Sequence, residues 1–211
     1  MYARVISAEA APERFEDVIA AVESRVIRSV QSSPGFRGTY WLGNRATGLI
    51  LALTFFASEQ YLHASREPGG RISSAATDAG AARVTGIEEY EVVAATGQAV
   101  SRTAQFCRSL AWQEAPSRMT QVVTHINEEV MPGVRQNAGF QGGFWLVDRL
   151  SGRCVGFTLW DTVEHLQTSG AVGREMRGES VRRGEMAILD LQEYAILARA
   201  EPPERSLHDT E

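Results

Sequence analysis

The chain has 211 residues, 44% of them apolar and 22% charged, with a formal net charge of −5. That balance fits a soluble globular protein with one or two packed cores. It gives no basic face for a nucleic-acid backbone, which excludes nucleic acid as a partner. No apolar run reaches the roughly 18 residues that span a bilayer and the first residues lack the pattern of a secretory signal, so a cytoplasmic chain with no membrane partner is expected.

The elements come in two matching series. Residue n of the first half corresponds to residue n+104 of the second, with Gly35, Phe36, Gly38, Trp41, Leu42, Arg45 and Gly48 recurring as Gly139, Phe140, Gly142, Trp145, Leu146, Arg149 and Gly152. A repeat this long is a duplication of whole small domains rather than a solenoid period. The first strand is predicted over Tyr2 to Ala8 and its twin over Phe106 to Trp112. From Pro12, the apolar residues Phe15, Val18, Ile19, Val22, Val26 and Val30 keep helical spacing. Met119, Val122, Val123, Ile126 and Val130 repeat it, so each half has a long amphipathic helix with proline near its first turn. Gly35 and Gly139 follow as helix stops.

Next comes a hairpin, Thr39 to Gly43 and Leu49 to Phe56, with its twin turning at residues 148 to 152. Ser58 and Thr162 are predicted N-caps of a second, shorter helix. Residues 67 to 83 read as a loop, whereas Val172 to Arg183 is charged and continues as helix. The closing strands are predicted over Val84 to Val93 and Met186 to Leu197. The expected divisions are a domain over 1–94, a linker over 95–104, a second domain over 105–198 and a tail over 199–211. Cys107 and Cys154 are too few for a disulfide framework or a cysteine metal site and are expected as buried thiols.

The order strand, helix, strand, strand, helix, strand, written twice, describes an α+β chain of two ferredoxin-like domains. The third strands, Leu49 to Phe56 and Cys154 to Trp160, are apolar at nearly every position, which implies burial on both faces. One face meets its own helices. The other is expected to meet the second copy, forming an intramolecular α+β barrel with the helices outside.

The segment Phe157-Thr158-Leu159-Trp160-Asp161-Thr162-Val163-Glu164-His165-Leu166 resembles the strand-to-helix signature of the antibiotic biosynthesis monooxygenase-like proteins of the dimeric α+β barrel superfamily. Leu53 to Leu62 is a weaker version, and Pro34-Gly35-Phe36-Arg37-Gly38 resembles the family's helix-to-strand turn. The resemblance implies a covalent pseudo-dimer, with a further homodimer left open. It also implies a cleft in each half, between sheet and helices, suited to a flat hydrophobic aromatic molecule. Its members include cofactor-independent oxygenases of polyphenolic or anthrone-like substrates and haem-degrading enzymes. The haem-degrading template has an asparagine on the first strand and a histidine about ten positions after the tryptophan. Here the first strands lack asparagine, and positions 66 and 170 are arginine and glycine.

On this resemblance, Trp160 is the expected pocket wall and His165 the expected proton handler, one helical turn further on. Trp112, Trp145, Phe56 and Tyr61 are the expected substrate contacts. Trp160 faces Phe56 in the repeat, His165 faces Tyr61, and Trp112 faces Ala8 and narrows one cleft. The clefts therefore differ, and the second half is the expected ligand site. His63, His125 and His208 have no partners at metal-ligand spacing, and no glycine-rich phosphate loop follows a strand, so neither metal nor cofactor is expected. The predicted function is a cofactor-free monooxygenase-like activity on a flat aromatic molecule. A non-catalytic binding protein for a hydrophobic metabolite and a haem-binding protein are the alternatives.

Overall fold

The computed structural model describes residues 1–66, 82–97, 99–170, 173 and 186–203. The first half contributes β1 (Tyr2–Glu9), β2 (Phe36–Asn44), β3 (Leu49–Phe56) and β4 (Arg83–Thr96). The second contributes β5 (Phe106–Gln113), β6 (Phe140–Val147), β7 (Arg153–Trp160) and β8 (Ala187–Ala200). These form one closed antiparallel barrel in the order β1-β3-β2-β8-β5-β7-β6-β4. The halves join edge to edge: β4 pairs with β6 through Glu91 to Thr96, and β8 pairs with β2 through Ala195 to Ala200. Closure leaves each four-stranded sheet without the exposed edges it would present alone.

Strand parity decides which side chains go inside. In β1, Ala3 and Val5 enter the barrel core; in β3, Leu51, Leu53 and Phe55 do, and in β2, Tyr40 and Leu42. Cys107, Phe144, Leu146, Val155, Phe157 and Leu159 meet them from the second half, with the rings of Phe55 and Phe144 tilted by 41° at 4.4 Å between centroids. Alternate residues face out toward the helices. This explains why β3 and β7 carry no polar stripe: both of their faces are covered.

The closing strands run further than the pattern predicts, to Thr96 and Ala200, because the last residues of each pair with the opposite half. The segment read as a linker also joins the core. Val100 and Ala104 are buried among the barrel side chains, the Ser101 amide donates to the Tyr40 hydroxyl at 2.5 Å, and Arg199 donates to the Ser101 carbonyl at 2.6 Å. Burial pushes the Tyr40 phenol up to about 12.

Each long helix opens with a short 3-10 turn at its proline and contains a π-type turn, Val22–Val26 in the first half and Ile126–Val130 in the second. In a pure α-helix, residues four apart drift around the axis, since a turn takes 3.6 residues. The wider π turn cancels that drift. Val18, Val22, Val26 and Val30 therefore stand in one row facing the sheet. Ser58 and Thr162 cap the short helices as expected, accepting from the amides of Tyr61 at 3.4 Å and His165 at 3.2 Å. The predicted loop over 67–83 falls mostly, and the predicted helical continuation over 172–183 almost wholly, outside the described residues. Among the described residues no helix is long and apolar enough to cross a membrane.

A candidate cleft in the first half

A cavity of about 110 Å³ lies between the outer face of the first sheet and its long helix, open toward solvent. The sheet side is built by parity: Ile6 and Ala8 from β1, Trp41 from β2, Ile50, Ala52, Thr54 and Phe56 from β3, and Val84 from β4. The helix side is the valine row of Val18, Val22, Val26 and Val30. Among the described wall residues, polar side chains are those of Arg4, Ser33, Thr54 and Ser65, with the indole N–H of Trp41. The Thr54 hydroxyl is engaged with that of Thr39 at 3.0 Å, and the Ser65 hydroxyl donates to the Leu62 carbonyl at 2.7 Å.

Arg4 is the one charged residue among the described residues of the wall, and it is 5% exposed. Its Nε and Nη2 donate to Glu89 at 3.2 and 2.7 Å, Nη2 also donates to the Leu62 carbonyl at 2.8 Å, and Nη1 donates to the Ser65 carbonyl at 3.1 Å. These bonds use four of the five guanidinium N–H groups. They tie β1 and β4 to the end of the short helix, and the guanidinium carbon lies 5.7 Å from the centre of the Phe56 ring. Glu89 is shared with Arg66, so two cations meet one carboxylate beside the cavity. Burial raises the Glu89 pKa, but the hydrogen bonds from Arg66 and Arg4 outweigh it and hold the carboxyl below its usual range.

A depressed carboxylate pKa stabilises the fold above the unfolded-state value of about 4.3, and that contribution disappears as pH falls through the folded value. Glu89→Gln is therefore expected to lower stability at pH 7, with the difference from the natural chain shrinking below about pH 4. Urea titrations at pH 7 and pH 3 check this; an equal difference at both would contradict it.

Among the described residues, the second half repeats the frame with different side chains within it. Arg108 reproduces the bolt, donating to Glu193 at 3.0 and 2.7 Å, to the Ser169 hydroxyl at 2.8 Å and to the Leu166 carbonyl. Where Ala8 lines the first cavity, however, Trp112 packs with Met119, Val122, Ile126, Trp145 and Cys154, and it is only 6% exposed. A methyl group built on Gly156, the counterpart of Ala52, would meet the rings of Trp145 at 3.4 Å and Trp112 at 3.6 Å. The indole thus lies over the position where the first half has its cavity floor. Burial pushes the Cys154 thiol beneath it up to about 12, as expected of an inert cysteine.

The structure redistributes the residues predicted from sequence. Phe56 is on the cavity wall. Trp145 and Trp112 are 3% and 6% exposed and belong to one buried cluster with Met119, Val122, Ile126 and Cys154 in the second half. Trp160 is 1% exposed, donates to the Thr158 hydroxyl at 3.1 Å and packs edge-on against Phe140.

His165 is engaged by Asp161. Its Nδ1 is bonded to Asp161 at 2.7 Å with the side chain 40% exposed, and that bond holds the Asp161 carboxyl below its usual range. Tyr61 is likewise exposed and off the cavity wall. Both side chains rest on the helix-stop glycines, Gly139 and Gly35, whose positive φ and missing Cβ leave them room. The geometry makes this pair part of a corner contact, because a residue one turn into the short helix points back over the preceding strand-entry turn.

Sequence reading missed Arg4 and Ala8 as wall residues. The available signal was parity: once Val5 is placed in the core, residues 4, 6 and 8 must face the helix. Among the described residues no three His, Cys, Asp or Glu side chains gather as metal ligands.

Comparison with known proteins agrees with this fold. Residues 1–68, which include Arg4, Ala8, Trp41 and Phe56, match the family model described as antibiotic biosynthesis monooxygenase. An uncharacterized protein of Mycobacterium tuberculosis is 26% identical over 207 residues, covering 97% of this chain and 91% of its own length. Among solved structures, a candidate monooxygenase of Fusobacterium nucleatum superposes with a TM-score of 0.68 at 11% identity, covering 95% of this chain and 94% of that one. An anthrone oxidase-like protein gives 0.67 at 11% identity, covering 97% and 95%. Residues 1–68 thus match the antibiotic biosynthesis monooxygenase family model, and the second half repeats the same fold within one barrel.

Proposed function

We propose that the chain is a cofactor-independent, monooxygenase-like protein that receives a small flat aromatic molecule in the cleft of its first half. The observation that carries this reading is one cavity in which Trp41, Phe56 and the valine row make apolar walls while Arg4 supplies a cation. The similarity of the fold to an anthrone oxidase-like protein supports it. The pseudo-dimer, with units over 1–94 and 105–198, supplies the second sheet that such a domain otherwise needs from a partner.

Oxygenation without a cofactor draws electrons from the substrate itself. An activated methylene and O₂ give a carbonyl and water, and the demanding species is the substrate anion. Dry walls and a fixed cation favour that anion. Arg4 is held by Glu89 and two main-chain carbonyls, so its charge is in place before the substrate arrives. No carboxylate, histidine or tyrosine is among the described wall residues, so an already acidic substrate is required.

The same observation favours a second reading, a non-catalytic binder of the same molecule. Haem does not fit: none of the described wall residues is a His, Cys, Tyr or Met able to ligate its iron.

Oxygen uptake with anthrone-like or polyphenolic compounds separates the two readings. Arg4→Met is expected to lower turnover by about 10²- to 10³-fold, the scale of losing one donor to a developing anion, with Arg4→Lys recovering part of it. His165→Ala is expected to stay within about twofold, since its side chain is off the wall. Binding without uptake in the natural chain would select the binder. A large loss in His165→Ala with Arg4→Met unaffected would reject this placement of the site.

A further inference from the structure

The second half contains, in its own covalent structure, an occupant of the cleft. The sheet face, the long helix with its π-type turn, the wall tryptophan and the buried arginine are all duplicated. What differs is the content. Ala8 becomes Trp112, Val22 becomes Ile126 and Ala82 becomes Met186, each larger, whereas Ala52 becomes Gly156 directly beneath the new indole. Two positions beside the indole shrink, Ala52 to Gly156 and Ile50 to Cys154, while Val22 to Ile126 and Ala82 to Met186 grow around it.

We propose that the barrel is a one-site protein: Trp112 permanently fills the second cleft as an internal ligand, and the first cleft takes a free molecule of that same class, a flat bicyclic aromatic of indole size. This rests on the reading of the first-half cavity as a ligand site and goes beyond it by naming the size class and the stoichiometry. The wall chemistry is shared. Trp145 lies beside the Trp112 ring over Gly156, and Trp41 is its equivalent on the open cavity. A dry apolar cavity of about 150 Å³ suffices for benzene; the space of about 110 Å³ is smaller but open to solvent, so a two-ring molecule is seated partly inside and partly at the mouth.

The test uses the full-length chain and indole itself, followed by calorimetry and by crystal structures of the soaked variants. The natural chain is expected to bind one indole. Trp112→Ala is expected to bind one more, in the second half. Ala8→Trp combined with Ala52→Gly moves the second half's solution into the first, and is expected to bind none, a loss of at least tenfold in affinity.

A folded Trp112→Ala that binds no more indole than the natural chain would overturn the proposal, as would a double variant that binds as well as the natural chain. If Trp112→Ala does not fold, Trp112→Val serves for the same count. If the natural chain takes no indole while Trp112→Ala takes one, the internal-ligand inference stands and the ligand-site reading of the first half falls.

Discussion

Trp112→Ala is expected to lower the unfolding free energy by about 3–5 kcal/mol, the range for removing a buried large aromatic. The indole is 6% exposed and lies in a buried cluster with Met119, Val122, Ile126, Trp145 and Cys154, so its loss forfeits dispersion contacts as well as apolar burial. For a chain of this length each kcal/mol moves the midpoint by about 2–4 °C, and thermal or urea unfolding resolves the change easily. The fold itself is expected to persist. The first half already stands with alanine at the equivalent position and a cavity beside it, so the variant makes the second half resemble the first. Trp41→Ala is expected to cost less, because one side of that ring already faces empty space. A loss below about 1 kcal/mol for Trp112 would mean that the second cleft is not filled as described.

The fold was legible because each of its determinants is local or periodic. The 104-residue offset shows in the glycine and tryptophan pairs, the valine row shows in helical spacing, and the strands show in short apolar runs bounded by turn residues. Edge-to-edge closure was less visible. Val92 to Thr96 and Leu197 to Ala200 look like fraying strand ends until the opposite half supplies their partners.

The site was harder to read, for a different reason. Tryptophan and histidine attract notice because their side chains carry chemistry, whereas a cavity is made by what is small. Ala8 and Ala52 leave the space, and nothing in an isolated alanine announces it. The contrast of Ala8 with Trp112 was visible as a pair, but its sign was open: a large aromatic can line a pocket or fill it. The burial of its ring beside Gly156 is what favours filling. His165 shows a comparable limit of sequence reading. Sequence puts it one turn into a helix after a pocket strand, while the Asp161 bond and the Gly139 turn hold its ring on the outer corner.

Gly152→Ala and Gly48→Ala are each expected to cost about 3 kcal/mol or more. Both residues have positive φ, +77° and +75°, where an L side chain costs about 1–2 kcal/mol. Both also press on main chain. A Cβ on Gly152 would overlap the Glu114 carbonyl oxygen, and one on Gly48 would overlap that of Ala10. Neither obstacle can rotate away, because the same segments are hydrogen-bonded across: Glu114 donates to the Gly152 carbonyl at 3.0 Å and Ala10 to the Gly48 carbonyl at 2.9 Å. Relieving the overlap means giving up such a bond, about 1 kcal/mol, and prising the hairpin turn from the end of β5 or β1. Two glycines of the same chain supply the controls. Gly97 also has positive φ, +78°, but nothing lies within 4 Å of its built Cβ, so Gly97→Ala isolates the backbone cost. Gly133 lies in a helix with ordinary φ and open space, so Gly133→Ala is expected to stabilise by up to about 1 kcal/mol. The two turn sites sit on opposite halves with no shared partner, so their costs should add. The double variant then loses about 6 kcal/mol, a large part of an ordinary domain's total stability. Urea unfolding of the four single variants should rank Gly152 and Gly48 worst, Gly97 between, and Gly133 best; equal losses at Gly97 and Gly152 would show that the carbonyl contact contributes nothing.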